Sequence, residues 1–176
     1  MFWSKSLWVL ETSLYAVLLF NYLTRLPAIS PARGLREMVA PYLIAALPFA
    51  VFLQPVNQEA LPRTFIPGQM LLLAGTLLAV TGMATLGRSF SISVEARAPV
   101  TGGVYRFIRH PVYLGELVAV TGVALIRLSW LSTALLVACW VSQIVRAGWE
   151  EEKLARAFPA YAAYRARTGG FFPRLH

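Results

Sequence analysis

Apolar residues along the chain fall into long runs that short polar segments separate. A helix needs about 20 mostly apolar residues to cross a bilayer, and fewer where neighbouring helices assist it. The pattern therefore predicts an all-α integral membrane protein with five transmembrane helices. Their predicted bounds are Leu7–Leu23, Met38–Leu53, Ile66–Leu86, Val112–Ile126 and Leu128–Val145.

The C-terminal third of the chain predicts a hairpin and an amphipathic helix. Little more than Arg127 separates the last two predicted spans, so we expect a tight helical hairpin there. After Val145 polar residues return, and the apolar positions among them recur at helical spacing. These positions are Leu154, Phe158, Tyr161 and Tyr164. Such spacing predicts an amphipathic helix that lies along the cytoplasmic interface or caps the bundle.

The composition supports burial in a membrane. Of the 176 residues, 57% are hydrophobic and 14% are charged, whereas a soluble domain has about 45–50% apolar and about 25% charged residues. Too few charges are present to coat a soluble globule of this length. The length suits a single membrane domain that covers residues 1–176.

Basic residues predict the orientation of the chain. The net charge is +8, but the basic residues flank apolar runs, where anionic lipid headgroups bind them, so we expect no nucleic-acid partner. With the N-terminus outside, thirteen of the 16 Lys and Arg residues fall in cytoplasmic segments. This bias predicts a cytoplasmic C-terminus. It also places segments 87–111 and 146–176 on the same cytoplasmic face.

Glycines recur every seven residues in two of the predicted spans. They are Gly68, Gly75 and Gly82 in the third span and Gly115 and Gly122 in the fourth. Seven residues are about two helical turns, so each set lies on one helix face, where small residues let helices approach closely in lipid. Helix packing is the expected role, and close approach of a ligand near Gly115 is the alternative.

Motifs for metal or nucleotide binding are absent from the sequence. The single cysteine, Cys139, allows no intrachain disulfide, and we expect it to be a small buried residue. No Cys/His metal spacing, Gly-rich dinucleotide fingerprint or P-loop occurs. We therefore expect no metal site.

The first polar cluster covers residues 95–116 and leads into the fourth span. Pro111 suits the first turn of a helix, and the free backbone N–H groups there could bind the carboxylate of a cofactor. The alternative is a juxtamembrane anchor in which Arg106 and Arg109 contact lipid phosphates. Glu116 lies one turn into the span and should face the protein interior, paired with an arginine or in contact with substrate.

The second polar cluster covers residues 146–152. Arg146 and Glu150 are four residues apart and share one helix face. They form either a simple salt bridge or part of a functional site at the end of a membrane helix. In the second case Arg146 could hold a carboxylate or phosphate, and Glu150 a cationic or hydroxyl-bearing ligand.

Taken together, the clusters resemble the isoprenylcysteine carboxyl methyltransferase and phospholipid methyltransferase families. The matching residues are Gly103-Val-Tyr105, Arg109-His110-Pro111-Val-Tyr113-Leu-Gly115 and, after the hairpin, Glu150-Glu151, Leu154, Phe158, Tyr161 and Tyr164. The resemblance covers residues 86–173. It implies a small helical membrane enzyme that uses S-adenosyl-L-methionine, with a cofactor pocket formed by the fourth and fifth helices and the C-terminal segment.

The resemblance also implies roles for individual residues. Arg146 lies where the family contacts substrate and is the expected catalytic residue. Residues 1–86 are expected on the acceptor side, and residues 87–176 form the cofactor-binding core. The expected cofactor-binding residues are Glu95, Arg97, Ala98, Pro99, Val100, Tyr105, His110, Pro111, Val112, Tyr113 and Glu150.

The implied activity is methyl transfer to a lipidic or otherwise apolar acceptor. A carboxylate acceptor needs no base, and Arg146 would orient it. An amine must lose a proton, which makes Glu150 or Glu116 a candidate base, and a thiol would need a nearby cation. Two alternatives are a membrane reductase of the related sterol reductase type that uses NADPH, and a non-catalytic lipid-binding membrane protein.

Overall fold

The computed structural model describes residues 16–17 and 19–174, and this part of the chain is helical, with no β-strand. A helical segment at residues 19–24 precedes six α-helices. These are α1 (Gly34–Met38), α2 (Ala40–Phe52), α3 (Leu61–Leu86), α4 (Pro111–Arg127), α5 (Trp130–Ala157) and α6 (Tyr161–Arg167). Two isolated bridges, Ser30 with Ala96 and Ile108 with Gly169, join loops. The predicted all-α class is confirmed.

Most of the predicted spans correspond to observed helices. Most of the first predicted span lies outside the described residues. Helix α2 matches the second span, with Pro41 in its first turn, and α3 begins five residues before the predicted start of the third. Helix α4 matches the fourth span to within one residue at each end. Only Leu128 and Ser129 connect it to α5, which confirms the predicted short hairpin connection.

Helix α5 is longer than the predicted fifth span. It begins at a capping box formed by Ser129 and Ser132 and continues without a break from the apolar run through the polar segment to Ala157. Hydropathy changes at residue 146, but Ala, Glu, Lys and Arg favour helix, so the backbone does not break there. Pro159 interrupts it, and the remaining residues form the short α6.

Two helices are long and apolar enough to cross a membrane among the residues that the structure describes. They cover Leu61–Ser89 and Trp130–Ala157. A shorter apolar helix covers Ala40–Phe52. The count of five spans stays a prediction.

Helices α3 and α4 pack antiparallel along their glycines. A Cβ atom added at Gly75 would lie 2.3 Å from the backbone nitrogen of Ala119, and one added at Gly122 would lie 2.3 Å from the carbonyl oxygen of Gly68. Contacts this short show that the two backbones touch, which confirms the packing role of the glycines. The pair forms one side of the bundle, and α2 and α5 pack on it.

Candidate functional site

A cavity of about 570 Å³ lies between α2, α3, α4 and α5 and the loop that precedes α4. One part, the polar end, is lined by Glu95, Tyr105, His110, Tyr113, Arg146, Glu150, Tyr161 and Tyr164. The other part, the apolar wall, comes from α2 and α3 and consists of Ala45, Pro48, Phe49, Phe52, Leu72 and Ala79. The cavity therefore offers one ligand polar contacts and another ligand an apolar surface.

Eleven of the twelve residues predicted for the site line this cavity. The exception is Pro111, which begins α4 as predicted but packs against α3. A Cβ atom added at Gly82 would lie 3.3 Å from the Cβ of Pro111. Pro111 shapes the start of α4, and its role as a ligand contact has no support in the cavity lining. Ala98, Pro99, Val100 and Val112 line the same cavity as the residues of the polar end, which include Arg146.

Arg146 and Glu150 lie side by side on α5, at the helical spacing that the sequence indicates. The Arg146 Nη2 donates a hydrogen bond to the carbonyl oxygen of Ile92 at 2.9 Å. Its Nε lies 3.5 Å from Glu150 Oε1 and has no hydrogen-bond acceptor, although the side chain is only 5% exposed. The guanidinium also lies over the ring of Tyr113, whose hydroxyl donates to Glu150. Arg146 thus retains an unused donor in a buried site.

Arg97 holds the loop and orients Glu95. Its three nitrogens contact the carbonyl oxygens of Leu26 at 2.6 Å and Phe90 at 3.1 Å, and the carboxylate of Glu95 at 2.7 Å. Ser91 donates a second hydrogen bond to the same carboxylate oxygen. These contacts hold Glu95 in place, and Arg97 itself also lines the cavity.

Glu151 contacts two arginines and a histidine and was missed by the sequence reasoning. Its carboxylate contacts Arg109 Nε at 2.7 Å, His110 Nε2 at 2.9 Å and Arg165 Nε at 3.0 Å. Consecutive helical residues point about 100° apart, so Glu150 faces the cavity while Glu151 faces the loop. The run of three glutamates was the available signal, because a buried arginine-histidine pair needs a carboxylate partner.

The segment after α6 packs against the loop that precedes α4. Gly170 accepts hydrogen bonds from the backbone N–H groups of Arg109 and His110, and Phe171 stacks on the His110 ring at 5.5 Å. Tyr164 donates its hydroxyl proton to the carbonyl oxygen of Tyr105 at 2.6 Å. Burial raises the pKa of the Tyr105 hydroxyl well above its ordinary value of 10, so this group stays a donor at physiological pH.

Glu116 lies deeper in the cavity and contacts an amide. Its Oε2 accepts a hydrogen bond from Gln143 Nε2 at 2.7 Å. The prediction that Glu116 pairs with an arginine was wrong, since none of the ion pairs in the described part of the chain includes Glu116. Gln143 is uncharged and lies within an apolar run, so the charge pattern did not mark it. An amide three residues before Arg146 on the same helix face was the available signal.

The model of the phospholipid methyltransferase family matches residues 63–160. The chain belongs to this family. The match covers nearly all of α3 and the whole of α4 and α5, and it includes Arg146 and Glu150.

Three curated proteins are similar to this chain. The cobalt-zinc-cadmium resistance protein CzcN of Cupriavidus metallidurans is 37% identical over 112 residues, which are 60% of this chain and 50% of CzcN. The nickel-cobalt-cadmium resistance protein NccN of Alcaligenes xylosoxydans xylosoxydans is 35% identical over 59% of this chain and 51% of NccN. Protein-S-isoprenylcysteine O-methyltransferase B of Arabidopsis thaliana is 31% identical over 60% of this chain and 57% of that protein.

The chain spans about half the length of the curated relatives that it matches. Two of the relatives carry names that refer to metal resistance. Within residues 16–17 and 19–174, no group of three or more His, Cys, Asp or Glu side chains is arranged to hold a metal ion.

Proposed function

We propose that this protein is an integral membrane methyltransferase that transfers a methyl group from S-adenosyl-L-methionine to a lipidic or otherwise apolar acceptor. The observation that carries the proposal is that a polar end and an apolar wall adjoin within one cavity. Its residues belong to a chain of the phospholipid methyltransferase family. The polar end suits a soluble, charged cofactor, and the apolar wall suits an acceptor that enters sideways from the bilayer.

The residues of the polar end fit the chemical groups of this cofactor. The buried Arg146 Nε has no hydrogen-bond partner and is left for a polar group of the methyl acceptor. Glu150 and Glu95 are carboxylates that could accept hydrogen bonds from an ammonium or from ribose hydroxyls. Tyr105, His110 and Tyr113 present aromatic surface to the same space. We assign cofactor contact to the cavity-lining members of the predicted set and acceptor contact to Arg146.

The protein groups position the reactants and exclude water. When bound, S-adenosyl-L-methionine supplies a methyl group that its sulfonium has already activated. Helices α4 and α5 hold Tyr113, Arg146 and Glu150 in fixed positions through mutual contacts, and such alignment lowers the entropic part of the barrier. Phe171 stacks on the His110 ring and would shield this part of the polar end from bulk water.

A binding measurement tests the cofactor assignment. Isothermal titration of purified protein with S-adenosylhomocysteine should show binding, and Glu150→Gln should weaken it about tenfold or more, because a charge-assisted contact is lost. The matched control is Glu152→Gln, which removes the same charge from an exposed position two residues after Glu150 on another face of α5. His110→Ala serves as a second site variant. Absence of binding to a folded sample would refute the proposal.

Three further measurements separate the alternative functions and identify the methyl acceptor. A thermal-shift comparison of NADPH with S-adenosyl-L-methionine distinguishes a reductase, which NADPH alone would stabilise. Labelled-methyl transfer into a lipid extract, followed by identification of the product, names the acceptor. Unchanged ligand binding and turnover in Arg146→Ala and Glu150→Ala would instead support a non-catalytic lipid-binding protein.

We propose five spans, with the N-terminus outside and the active site in the cytoplasm. Single cysteines in a Cys139→Ala background test this topology. Thr101→Cys lies in the exposed loop before α4 and should react with an impermeant maleimide only from the cytoplasmic side. Gln58→Cys lies in the exposed connection between α2 and α3 and should react only from the outside. Labelling of both from one side would contradict the proposed topology.

A further inference from the structure

A second cavity, of about 390 Å³, lies where α1 and the segment before it meet the end of α5. None of the described residues that line it also lines the first cavity. We call it the basic cleft, and its lining consists of Ile29, Ser30, Arg33, Glu37, Lys153, Arg156 and Ala157. Three cations and one carboxylate are in this lining, so an anion is the ligand to consider.

Lys153 is the buried cation of the basic cleft. Its side chain is only 10% exposed, and its Nζ donates hydrogen bonds to the Glu37 carboxylate at 2.5 Å and to the carbonyl oxygen of Pro31 at 2.8 Å. An ammonium has three N–H donors. One donor of Lys153 therefore has no acceptor within the described part of the chain, and a ligand oxygen would satisfy it.

Two exposed arginines complete the basic cleft. Arg33 contacts Glu37 through its backbone N–H at 2.7 Å, whereas its guanidinium forms no hydrogen bond or ion pair within the described residues. Arg156 pairs with one oxygen of the Glu152 carboxylate at 2.5 Å, and Arg36 pairs with the other oxygen at 3.2 Å. Two arginines thus share one carboxylate, and a third has none.

The charges around the basic cleft do not cancel. Four cations less two carboxylates leave a net charge of +2. The cations are Arg33, Arg36, Lys153 and Arg156, and the carboxylates are Glu37 and Glu152. The neighbouring loop adds Arg97 and Glu95, which pair with each other at 2.7 Å and contribute no net charge.

Trp149 indicates that the basic cleft lies at the depth of lipid headgroups. Tryptophan is enriched at the membrane–water interface, and the Arg36 guanidinium lies 4.9 Å from the centre of the Trp149 ring. Lys153 is four residues further along α5, which is about 6 Å along the helix axis. The headgroup layer extends about 5–8 Å beyond the hydrocarbon on each side. The apolar Leu35 and Met38 beside the cleft are 78% and 53% exposed, as expected for side chains that contact acyl chains.

An anionic phospholipid matches both the charge and the apolar surroundings. Its phosphate oxygens would accept hydrogen bonds from Lys153, Arg33 and Arg156, and its acyl chains would cover Leu35 and Met38. A lipid whose headgroup carries an ammonium would bring a cation to a site that already has an excess of positive charge. Phosphatidylglycerol has no such cation, so the cleft should prefer it to phosphatidylcholine.

We propose that the basic cleft binds the headgroup of one anionic phospholipid of the surrounding membrane. This lipid is a bound partner outside the cavity assigned to methyl transfer, and the proposal does not depend on the proposed function. The lipid would fasten the segment before α1 to α5. Backbone hydrogen bonds of Ile29 and Ser30 with Ala96 connect that segment to the loop that carries Glu95.

Native mass spectrometry of the full chain in neutral detergent tests the proposal. With equal amounts of dioleoylphosphatidylglycerol and dioleoylphosphatidylcholine, wild-type protein should retain one phosphatidylglycerol in preference. Arg33→Gln and Arg156→Gln should each lower the affinity for phosphatidylglycerol about fivefold, and the double variant about twenty-five-fold, because each cation near anionic lipid contributes about this factor. Arg63→Gln, which removes the same charge from an exposed position at the start of α3, is the matched control and should change the affinity less than twofold.

A variant that removes a negative charge gives the opposite prediction. Glu152→Gln releases Arg36 and Arg156 from their shared carboxylate and should raise the affinity for phosphatidylglycerol about fivefold. A loss of structure could not produce such a gain, so this variant distinguishes lipid binding from a merely structural role of the charges.

Thermal unfolding distinguishes a lipid headgroup from a soluble anion. Phosphatidylglycerol at about a hundred times its Kd should raise the melting temperature by about 5 °C or more, whereas inorganic phosphate should not. Equal stabilisation by inorganic phosphate would overturn the proposal and assign the basic cleft to a soluble anion. Equal retention of the two lipids by wild-type protein would overturn it as well, and so would an undiminished preference for phosphatidylglycerol in the double variant or an equal effect of Arg63→Gln.

Discussion

Replacement of Gly75 by alanine tests the close packing of α3 on α4. The added Cβ would lie 2.3 Å from Ala119 N, 2.5 Å from the Gly115 carbonyl oxygen and 2.9 Å from Ala119 Cα. All three atoms belong to the backbone, so no side chain can turn aside. Ordinary contact begins near 3.4 Å, so the two helices must separate by about 1 Å. Overpacking of this kind costs about 3 kcal/mol, the upper end of the usual range.

Thermal unfolding in detergent, followed by tryptophan fluorescence, measures this cost. For a chain of this size each kcal/mol lowers the melting temperature by about 2–4 °C, so Gly75→Ala should melt about 6–12 °C below wild type. Gly148→Ala is the matched control, because Gly148 is also helical and has nothing within 4 Å of its added Cβ. Alanine favours helix over glycine by about 1 kcal/mol, so the control should melt at or slightly above the wild-type temperature.

Equal melting temperatures for Gly75→Ala and Gly148→Ala would refute the reasoning. The two helices would then have room for a methyl group at residue 75, and the glycine repeat would have no packing role there. A second refuting result would be a lower melting temperature for the control than for Gly75→Ala.

Two further substitutions test the site and the ion pair between Glu37 and Lys153. Tyr113→Phe removes the hydroxyl that donates a hydrogen bond to Glu150 and should weaken S-adenosylhomocysteine binding about tenfold without loss of fold. The control is Tyr42→Phe, which makes the same change at an exposed tyrosine. Equal affinities of the two variants would contradict the role of Tyr113. Burial raises the pKa of Glu37, but its contacts with Lys153 outweigh this and hold the pKa below the ordinary 4.5. The Glu37 contact therefore stabilises the fold above about pH 4.5 and stops doing so as the pH falls through the folded-state pKa. Melting curves between about pH 3 and about pH 7 should show a smaller acid-side decrease in Glu37→Gln than in wild type, and parallel curves would contradict this.

Most helices could be predicted from the sequence because apolar runs and proline positions determine them directly. Helix α4 follows this rule closely, from Pro111 to Arg127. The length of α5 could not be predicted in the same way, since the change in hydropathy at residue 146 marks a change of surroundings and not a break in the backbone. The end of this helix depends on Pro159, which the apolar pattern ignores.

The site was predictable where chemistry is concentrated in motifs and unpredictable where partners come from distant helices. The spacing of Arg146 and Glu150 indicated a shared helix face, and both line the cavity. The contact of Gln143 with Glu116 joins residues 27 positions apart on two helices. No local pattern marks such a contact, because the relative rotation of the helices determines it.

The two sides of the cavity differ in how freely they could be redesigned. The side that carries Glu116 belongs to a helix whose backbone touches α3, so changes there disturb the whole bundle. The side that carries Phe49 and Phe52 belongs to α2, where Phe49 is 59% and Phe52 40% exposed. Under the proposed function, acceptor range could therefore be changed in the laboratory by varying these two side chains, while the residues assigned to the methyl donor stay as they are. A library limited to two positions on α2 would be the efficient starting point for a methylation catalyst with new acceptors.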